Sequence, residues 1–312
     1  MPKIKKQGSI AFQVFMRFLI MNLLLIIFVT VSYADEIYLK NGDKVSGRIT
    51  QDQQDSLSVE TDAMGLIEVN RDAIGHVVRA EKVLKQVTKD PKDITWKREV
   101  ALGYDYATGN TRESQFSGSF LINRNNKHID EWTAKGRMYY SSANRKTDAH
   151  KWYGMGRYAH SFGSMKRWYN FYRLEADQDR FADIDYRLVP AAGIGYWLYD
   201  LPKLKLLLEA AAGYEHTAYR SDIKDKGDWV FVPRVFFEKE LFTNTKIAQD
   251  ITFYPAFEDF NDYRLHSETV LSIAMNHKLS LRLSLIDDYN SEPPIDTKDN
   301  DLRMISALAY SF

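Results

Sequence analysis

There is no cysteine anywhere in the 312-residue chain. Disulfides are therefore excluded, and so is a lipid anchor attached through a cysteine. Beyond Val31 there is no uncharged apolar stretch of the ~18 residues that a membrane-spanning helix needs. Basic residues are not in excess either, with 42 Lys and Arg against 42 Asp and Glu. The first 34 residues carry four of the basic groups and none of the acidic ones, so the remainder has a net charge of −4. That balance offers nothing to a nucleic acid. Mean hydropathy is only −0.41, yet 13% of residues are aromatic and 19 are tyrosine. A polar chain rich in Tyr, Phe and Trp suits a β-barrel with a wet lumen and two aromatic girdles, although a large soluble β-protein has similar needs.

The last residues point to the barrel, if the rest of the chain repeats their pattern. In Ala307-Leu308-Ala309-Tyr310-Ser311-Phe312, the side chains of Leu308, Tyr310 and Phe312 share one strand face. Ala307, Ala309 and Ser311 share the other. In hydrocarbon such a strand can satisfy its backbone only inside a closed barrel. Leu308, Tyr310 and Phe312 are therefore read as an outer-membrane assembly signal.

At the other end, Lys3, Lys5, Lys6 and Arg17 precede the apolar run Phe18–Val31, followed by Ser32-Tyr33-Ala34. This is the pattern of a secretory signal peptide over residues 1–34, with Met1 or Met16 as the start and cleavage after Ala34. The alternative is an uncleaved inner-membrane anchor.

Residues 35–79 are expected to form a small periplasmic β-domain. Alternating apolar pairs (Ile37 and Leu39, Leu57 and Val59, Ile67 and Val69) are separated by turns at Asn41-Gly42 and Met64-Gly65. The stretch Leu39-Lys40-Asn41-Gly42-Asp43-Lys44-Val45-Ser46-Gly47 resembles the first motif of Sm-like and SH3-like barrels. The resemblance implies an adaptor or plug, or a passive appendage. Residues 80–95, charged and containing Pro91, read as a linker.

Residues 96–312 read as an antiparallel transmembrane β-barrel of about twelve strands. The clearest is Leu279-Ser280-Leu281-Arg282-Leu283-Ser284-Leu285, with four leucines on one face. Its period-two relatives recur at spans 96–107, 112–124, 128–141, 148–160, 166–178, 184–199, 203–219, 228–240, 245–256, 262–275, 277–289 and 301–312. Alternate connections should be short periplasmic turns, and the others longer outer loops such as Asn290–Asn300.

Several stretches resemble the YdiY-like salt-induced outer-membrane proteins, a family of unknown biochemical function. They are Gly109-Asn110-Thr111, Glu175-Ala176-Asp177-Gln178-Asp179-Arg180-Phe181, and Asp185-Tyr186-Arg187 leading to Gly193-Ile194-Gly195-Tyr196. Tyr289-Asn290-Ser291-Glu292-Pro293-Pro294, Lys298, Asp299 and the terminal Tyr310-Ser311-Phe312 belong with them. The resemblance implies an outer-membrane location and a link to osmotic stress. It implies no catalytic residues and no cofactor. Expected partners are outer-membrane lipid and lipopolysaccharide, the barrel-assembly machinery and periplasmic chaperones; the oligomeric state stays open.

Three functions are then weighed. Alternation places Arg137, Arg173, Glu175, Arg187, Arg234, Asp250, Arg264, Glu268, Arg282 and Arg303 in the lumen. Charges of both signs there imply either a wet channel with a weak cation preference or a lumen plugged by ion pairs. A lipid-modifying enzyme is disfavoured. His266 and Ser267 form an adjacent His-Ser pair in the barrel, and neighbouring strand residues face opposite ways. Cation binding at the outer rim would use Asp177, Asp179, Asp183 and Asp185, whose carboxylates suit Ca²⁺ or Mg²⁺.

Overall fold

The computed structural model describes residues 35–61, 64–78, 94–107, 113–126, 129–144, 146–163, 166–294 and 297–312. The expected signal peptide, the linker as far as residue 93, and the Gly109-Asn110-Thr111 motif lie outside them. The chain divides into two compact units, 1–89 and 90–312.

In the first unit five short strands follow the alternating pairs: β1 (Asp35–Leu39), β2 (Lys44–Asp52), β3 (Ser56–Thr61), β4 (Gly65–Asn70) and β5 (Ile74–Val78). They form one antiparallel sheet in the order β4-β3-β2-β1-β5. Asn41 shapes the first turn by accepting the Asp43 N–H at 3.0 Å. Ile37, Leu57, Val59 and Val69 are buried, and Leu39, Val45, Ile49, Ile67, Ile74 and Val77 pack around them. The alternation that marked these strands is the face that leaves water.

The second unit is a closed barrel of twelve antiparallel strands. These are β6 (Ile94–Ala107), β7 (Glu113–Asn126), β8 (Asp130–Ala143), β9 (Lys146–Phe162), β10 (Trp168–Asp179) and β11 (Ile184–Leu201). They continue with β12 (Leu204–Tyr219), β13 (Lys226–Phe242), β14 (Thr245–Pro255), β15 (Tyr263–Ala274), β16 (Leu279–Asn290) and β17 (Asn300–Ser311). Each pairs with its sequence neighbour, and β17 returns to β6. The twelve expected spans are found, displaced by a residue or two at their ends.

Connections at the end where β6 begins are short turns. Asn276 makes one of them, its Oδ1 accepting the N–H groups of Lys278 at 2.8 Å and Leu279 at 2.9 Å. Connections at the opposite end include residues 256–262 and 291–299. One departs from the long-loop expectation: β8 meets β9 across only two residues, with Asn144 at φ 50°. Asn tolerates that left-handed turn better than most residues do.

Most outward side chains are apolar. The four leucines of β16 are matched on β17 by Leu302, Met304 and Leu308, exposed by 61%, 68% and 50%. Aromatic rings gather near both ends. Trp132 and Tyr158 lie 4.5 Å apart and Trp168 and Tyr196 4.7 Å apart at the turn end, while Tyr214 and Trp229 lie 5.4 Å apart at the loop end. In water this surface would be an aggregation hazard; in a bilayer it is a solvated one.

Inside, one wall is packed like a protein core. Ala159, Tyr169, Phe171, Val189, Ala191, Ala211, Val230, Val232 and Tyr254 form a buried cluster on β9 to β14. Here the Gly193-Ile194-Gly195-Tyr196 motif finds its reason. Gly195 opposes Tyr169 across the ladder, and a Cβ on Gly195 would stand 2.2 Å from the Tyr169 ring. The ring fills the place of the missing side chain. Gly195→Val is expected to lower stability by about 1–3 kcal/mol through overpacking, read from the denaturant midpoint of the folded barrel in detergent.

Candidate functional site: the charged lumen

The paired registers put the ten expected lumen residues on one face of the barrel wall, and the ion pairs that cross the barrel make it the inward face. They are not dispersed around a wet channel. Most are joined into a ladder of ion pairs running along the barrel interior.

At its centre is Glu209 on β12, whose side chain has no exposed surface. Its Oε1 accepts from Arg157 Nη2 at 2.6 Å and from the Tyr169 hydroxyl at 2.9 Å. Its Oε2 accepts from Arg234 Nη1 at 3.0 Å. The rest of the Arg234 guanidinium forks onto Asp250 at 2.7 and 2.8 Å. Arg157 and Arg173 are direct cross-strand neighbours of like charge, a repulsive arrangement unless countered. Glu209 counters the first and Glu175, 2.9 Å from Arg173 Nε, the second. Tyr254 donates its hydroxyl to the other Glu175 oxygen at 2.8 Å.

Toward the loop end, Arg187 forks onto Asp177 at 3.0 and 2.8 Å, and Arg264 reaches Glu215 at 2.5 Å. Arg303 pairs with Asp288 and Asp301. His266 Nδ1 lies 2.6 Å from Asp288 Oδ1. Toward the turn end, Arg282 pairs with Glu99 at 2.6 Å.

Two pairs cross the barrel. Arg137 on β8 meets Glu268 on β15 at 3.1 Å, and Lys151 on β9 meets Asp288 on β16 at 3.2 Å. In each case the partners stand five strands apart in a twelve-strand ring, so they bridge nearly opposite walls. A cavity of about 40 Å³ lies toward each end. The loop-end cavity is lined by Arg187, Glu215, Lys226, Asp262, Arg264 and Glu292 among others. The turn-end cavity is lined by Asn125, Asp130, Glu131, Tyr169, Trp197 and Asp200 among others. Each has room for a few water molecules.

Arg157, Lys151, Glu215 and Asp288 belong to this network and were not among the expected lumen residues. Asp288 lies inside β16 and faces inward. The four rim aspartates do not converge. Asp177 is engaged by Arg187. Asp179 pairs with Lys151 and caps a 3-10 turn by accepting the N–H groups of Phe181 and Ala182. Asp183 accepts from Ser221, and Asp185 from Arg220 at 3.4 Å. Among the described residues no group of three His, Asp or Glu side chains is placed to hold a metal ion. His266 faces the lumen, whereas Ser267 faces outward and accepts from Gln249 at 3.0 Å, so the pair cannot act as base and nucleophile.

A further set of acids lies exposed in the loops: Asp222, Asp225, Glu258 and Asp259. Asp259 is held below the ordinary carboxylate range by the backbone N–H of Asn261 and then by its side-chain amide.

A closed antiparallel barrel with an apolar outside, aromatic ends and a charged interior defines a transmembrane β-barrel of the outer-membrane type. The chain belongs to the family described as "Protein of unknown function, DUF481", whose model matches residues 100–312. It is 24% identical over 210 residues to the Escherichia coli (strain K12) "Uncharacterized protein YdiY", covering 67% of this chain and 80% of that protein. Among solved structures it is similar to the NanC porin, with a TM-score of 0.41 and 14% identity, over 69% of this chain and 98% of that one. It is also similar to the translocator domain of autotransporter NalP from Neisseria meningitidis, with a TM-score of 0.39 and 10% identity, over 74% and 93% of the two chains.

Proposed function

We propose that this protein is an outer-membrane pore held closed by ion pairs across its lumen, passing small ions with a weak preference for cations when those pairs release. The observation that carries this is the two bridging pairs, Arg137–Glu268 and Lys151–Asp288, which span the lumen between the two end cavities. A barrel needing only a filled core would be served by apolar side chains, as its β9–β14 wall is. Ion pairs instead respond to ionic strength, because salt weakens any pair that electrolyte can reach. That response accords with the osmotic-stress association of the resembled family. The exposed loop carboxylates supply the cation preference by concentrating counter-ions at one mouth. The 35–79 unit is assigned to the periplasm, as an adaptor of the Sm-like kind. No enzymatic role is proposed.

Planar-bilayer recording tests the pore. The unmodified barrel is expected to give rare, small openings whose frequency rises with salt. Replacing both Arg137 and Glu268 by Ala should raise conductance several-fold. Changing Asp185, Asp222, Asp225, Glu258 and Asp259 to their amides should shift the reversal potential in a salt gradient toward zero without closing the pore. Silence from both the unmodified and the Arg137–Glu268 double variant, each demonstrably folded, would replace the pore by a plugged, structural barrel.

A further inference from the structure

His266 on β15 stands between the two pairs that cross the lumen. Its Nδ1 lies 2.6 Å from Asp288, the acid that takes Lys151, and its Nε2 lies 3.3 Å from Arg137 Nη2. A guanidinium offers only N–H groups. Nε2 is therefore the acceptor, and the proton of the neutral ring sits on Nδ1, donated to Asp288. The side chain keeps 17% of its surface exposed, so solvent protons reach it. Among the described residues of the barrel it is the one histidine that faces the lumen. His150, His160 and His216 stand on the outward face, and His277 lies in a turn.

A proton on Nε2 replaces the acceptor by a second N–H aimed at Arg137. Two donors of like charge then face each other, and the guanidinium is driven off. The imidazolium also tightens its hold on Asp288, in competition with Lys151. Each displaced cation already has a partner on its own wall. Arg137 lies 4.7 Å from the centroid of the Tyr153 ring, and Lys151 lies 3.1 Å from Asp179.

The charge across the lumen shifts in the same direction. On the β15–β17 side of the bridges Glu268, Asp288 and Asp301 stand against Arg303, a net of two negative charges. An imidazolium halves it, and with it the pull on Arg137 and Lys151. The other charged groups around the ring are engaged elsewhere. Asp250 on β14 holds Arg234, Arg264 on β15 holds Glu215, and Lys135 on β8 lies over the Tyr153 ring. Asp287 is on the outward face of β16. A proton moves such an equilibrium only by binding one arrangement better than the other. In the closed lumen Arg137 occupies the Nε2 lone pair; with Arg137 withdrawn that lone pair is free.

We propose that His266 is a proton-operated release for the two bridges, so that the barrel opens more readily in acid than at neutral pH. The proposal rests on the reading of the barrel as a pore closed by ion pairs.

Histidine is the side chain that changes charge between about pH 5 and 8, so bilayer recordings at about pH 7.5 and about pH 5 compare its two forms. Openings of the unmodified barrel are expected to be several-fold more frequent in acid. His266→Gln should lose that response, because its amide accepts from Arg137 and donates to Asp288 at either pH. His216→Gln, on the outward face, should keep it. Replacing both Arg137 and Glu268 by Ala separates this proposal from the pore itself. If that double variant conducts while the unmodified barrel opens equally often at both pH values, the proton release is overturned and the pore stands. Silence from every protein at both pH values overturns the pore, and the release with it. An acid response that survives in His266→Gln would assign it to the lumen carboxylates and overturn the role of His266. Heat-shifted gel migration verifies that each variant is folded. If His266→Gln does not fold, nitrogen NMR of the lumen imidazole in the unmodified barrel decides. A neutral ring protonated on Nδ1 at the higher pH and an imidazolium at the lower are expected, and a ring unchanged between them overturns the proposal.

Discussion

A chain shortened to end at Ala307 is expected to yield no closed barrel. Every ladder pair joining β17 to β6 uses Leu308, Ala309, Tyr310 or Ser311. Phe312 adds one more bond, its N–H donating to the Arg98 carbonyl at 3.1 Å, and its ring stacks with Tyr310 at 6.2 Å. Removing the five residues leaves two open strand edges along the whole seam, which hydrocarbon does not tolerate. It also removes the Leu308, Tyr310 and Phe312 face proposed as the assembly signal. On a gel without boiling, the folded barrel runs ahead of its boiled form, and the shortened chain should lose that difference completely. Loss of Phe312 alone should reduce the fast band rather than abolish it. A normal fast band from the five-residue truncation would show that β6 and β17 close by contacts other than this ladder.

The second large effect is expected at Glu209. Its carboxylate is the shared acceptor for Arg157, Arg234 and the Tyr169 hydroxyl, in a place water does not reach. Glu209→Ala leaves two guanidiniums and a phenol facing an apolar wall, at a cost of about 3–5 kcal/mol. Arg234 keeps Asp250, so Arg157 is the residue most deprived. Its remaining acceptor is Glu131, 3.7 Å away. Glu292→Ala at the exposed rim serves as the comparison and should change stability by less than about 0.5 kcal/mol. Denaturant midpoints in detergent measure both. Equal stabilities for the two variants would mean that the central pairs carry no net weight. A destabilised but folded Glu209→Ala barrel should also open more often in bilayers.

Strand existence was legible because lipid and lumen impose opposite demands on alternate residues. From Leu279 to Leu285 in β16 the contrast is complete: leucines outside, Ser and Arg inside. It is weakest in β9. There the outward face mixes Trp152, Gly154, Gly156, Tyr158 and His160, and the inward face mixes Lys151, Tyr153, Met155, Arg157 and Ala159. Neither face is uniformly apolar, so Lys151 and Arg157 drew no attention as lumen groups. Asp288 and Glu215 sit near strand ends, where an acid looks the same in a ladder as in a loop. Val270, the one apolar residue out of phase in its strand, lies on the inward face, where it is buried. The pairing of charges was beyond sequence reasoning for a different reason. Arg137 and Glu268 are 131 residues apart, and only closure of the ring makes them neighbours. The rim aspartates misled because spacing alone does not reveal that Asp177 and Asp179 already have basic partners inside the barrel.

The order of strands also bears on how the barrel is made. Of its twelve neighbouring pairs, eleven join strands consecutive in the chain, and only β6 with β17 does not. Hairpins of this kind are local contacts, formed on a microsecond scale in isolation, whereas the final pairing must close a loop of about two hundred residues. The entropy of that closure grows only logarithmically with length, but it falls on the pairing with the fewest registers to repay it. Ring closure is therefore expected to be the slow, last step of folding. Mutations in Glu99–Leu102 or Leu308–Ser311 should act on the folding rate more than on the rate at which hairpins such as β11–β12 first form.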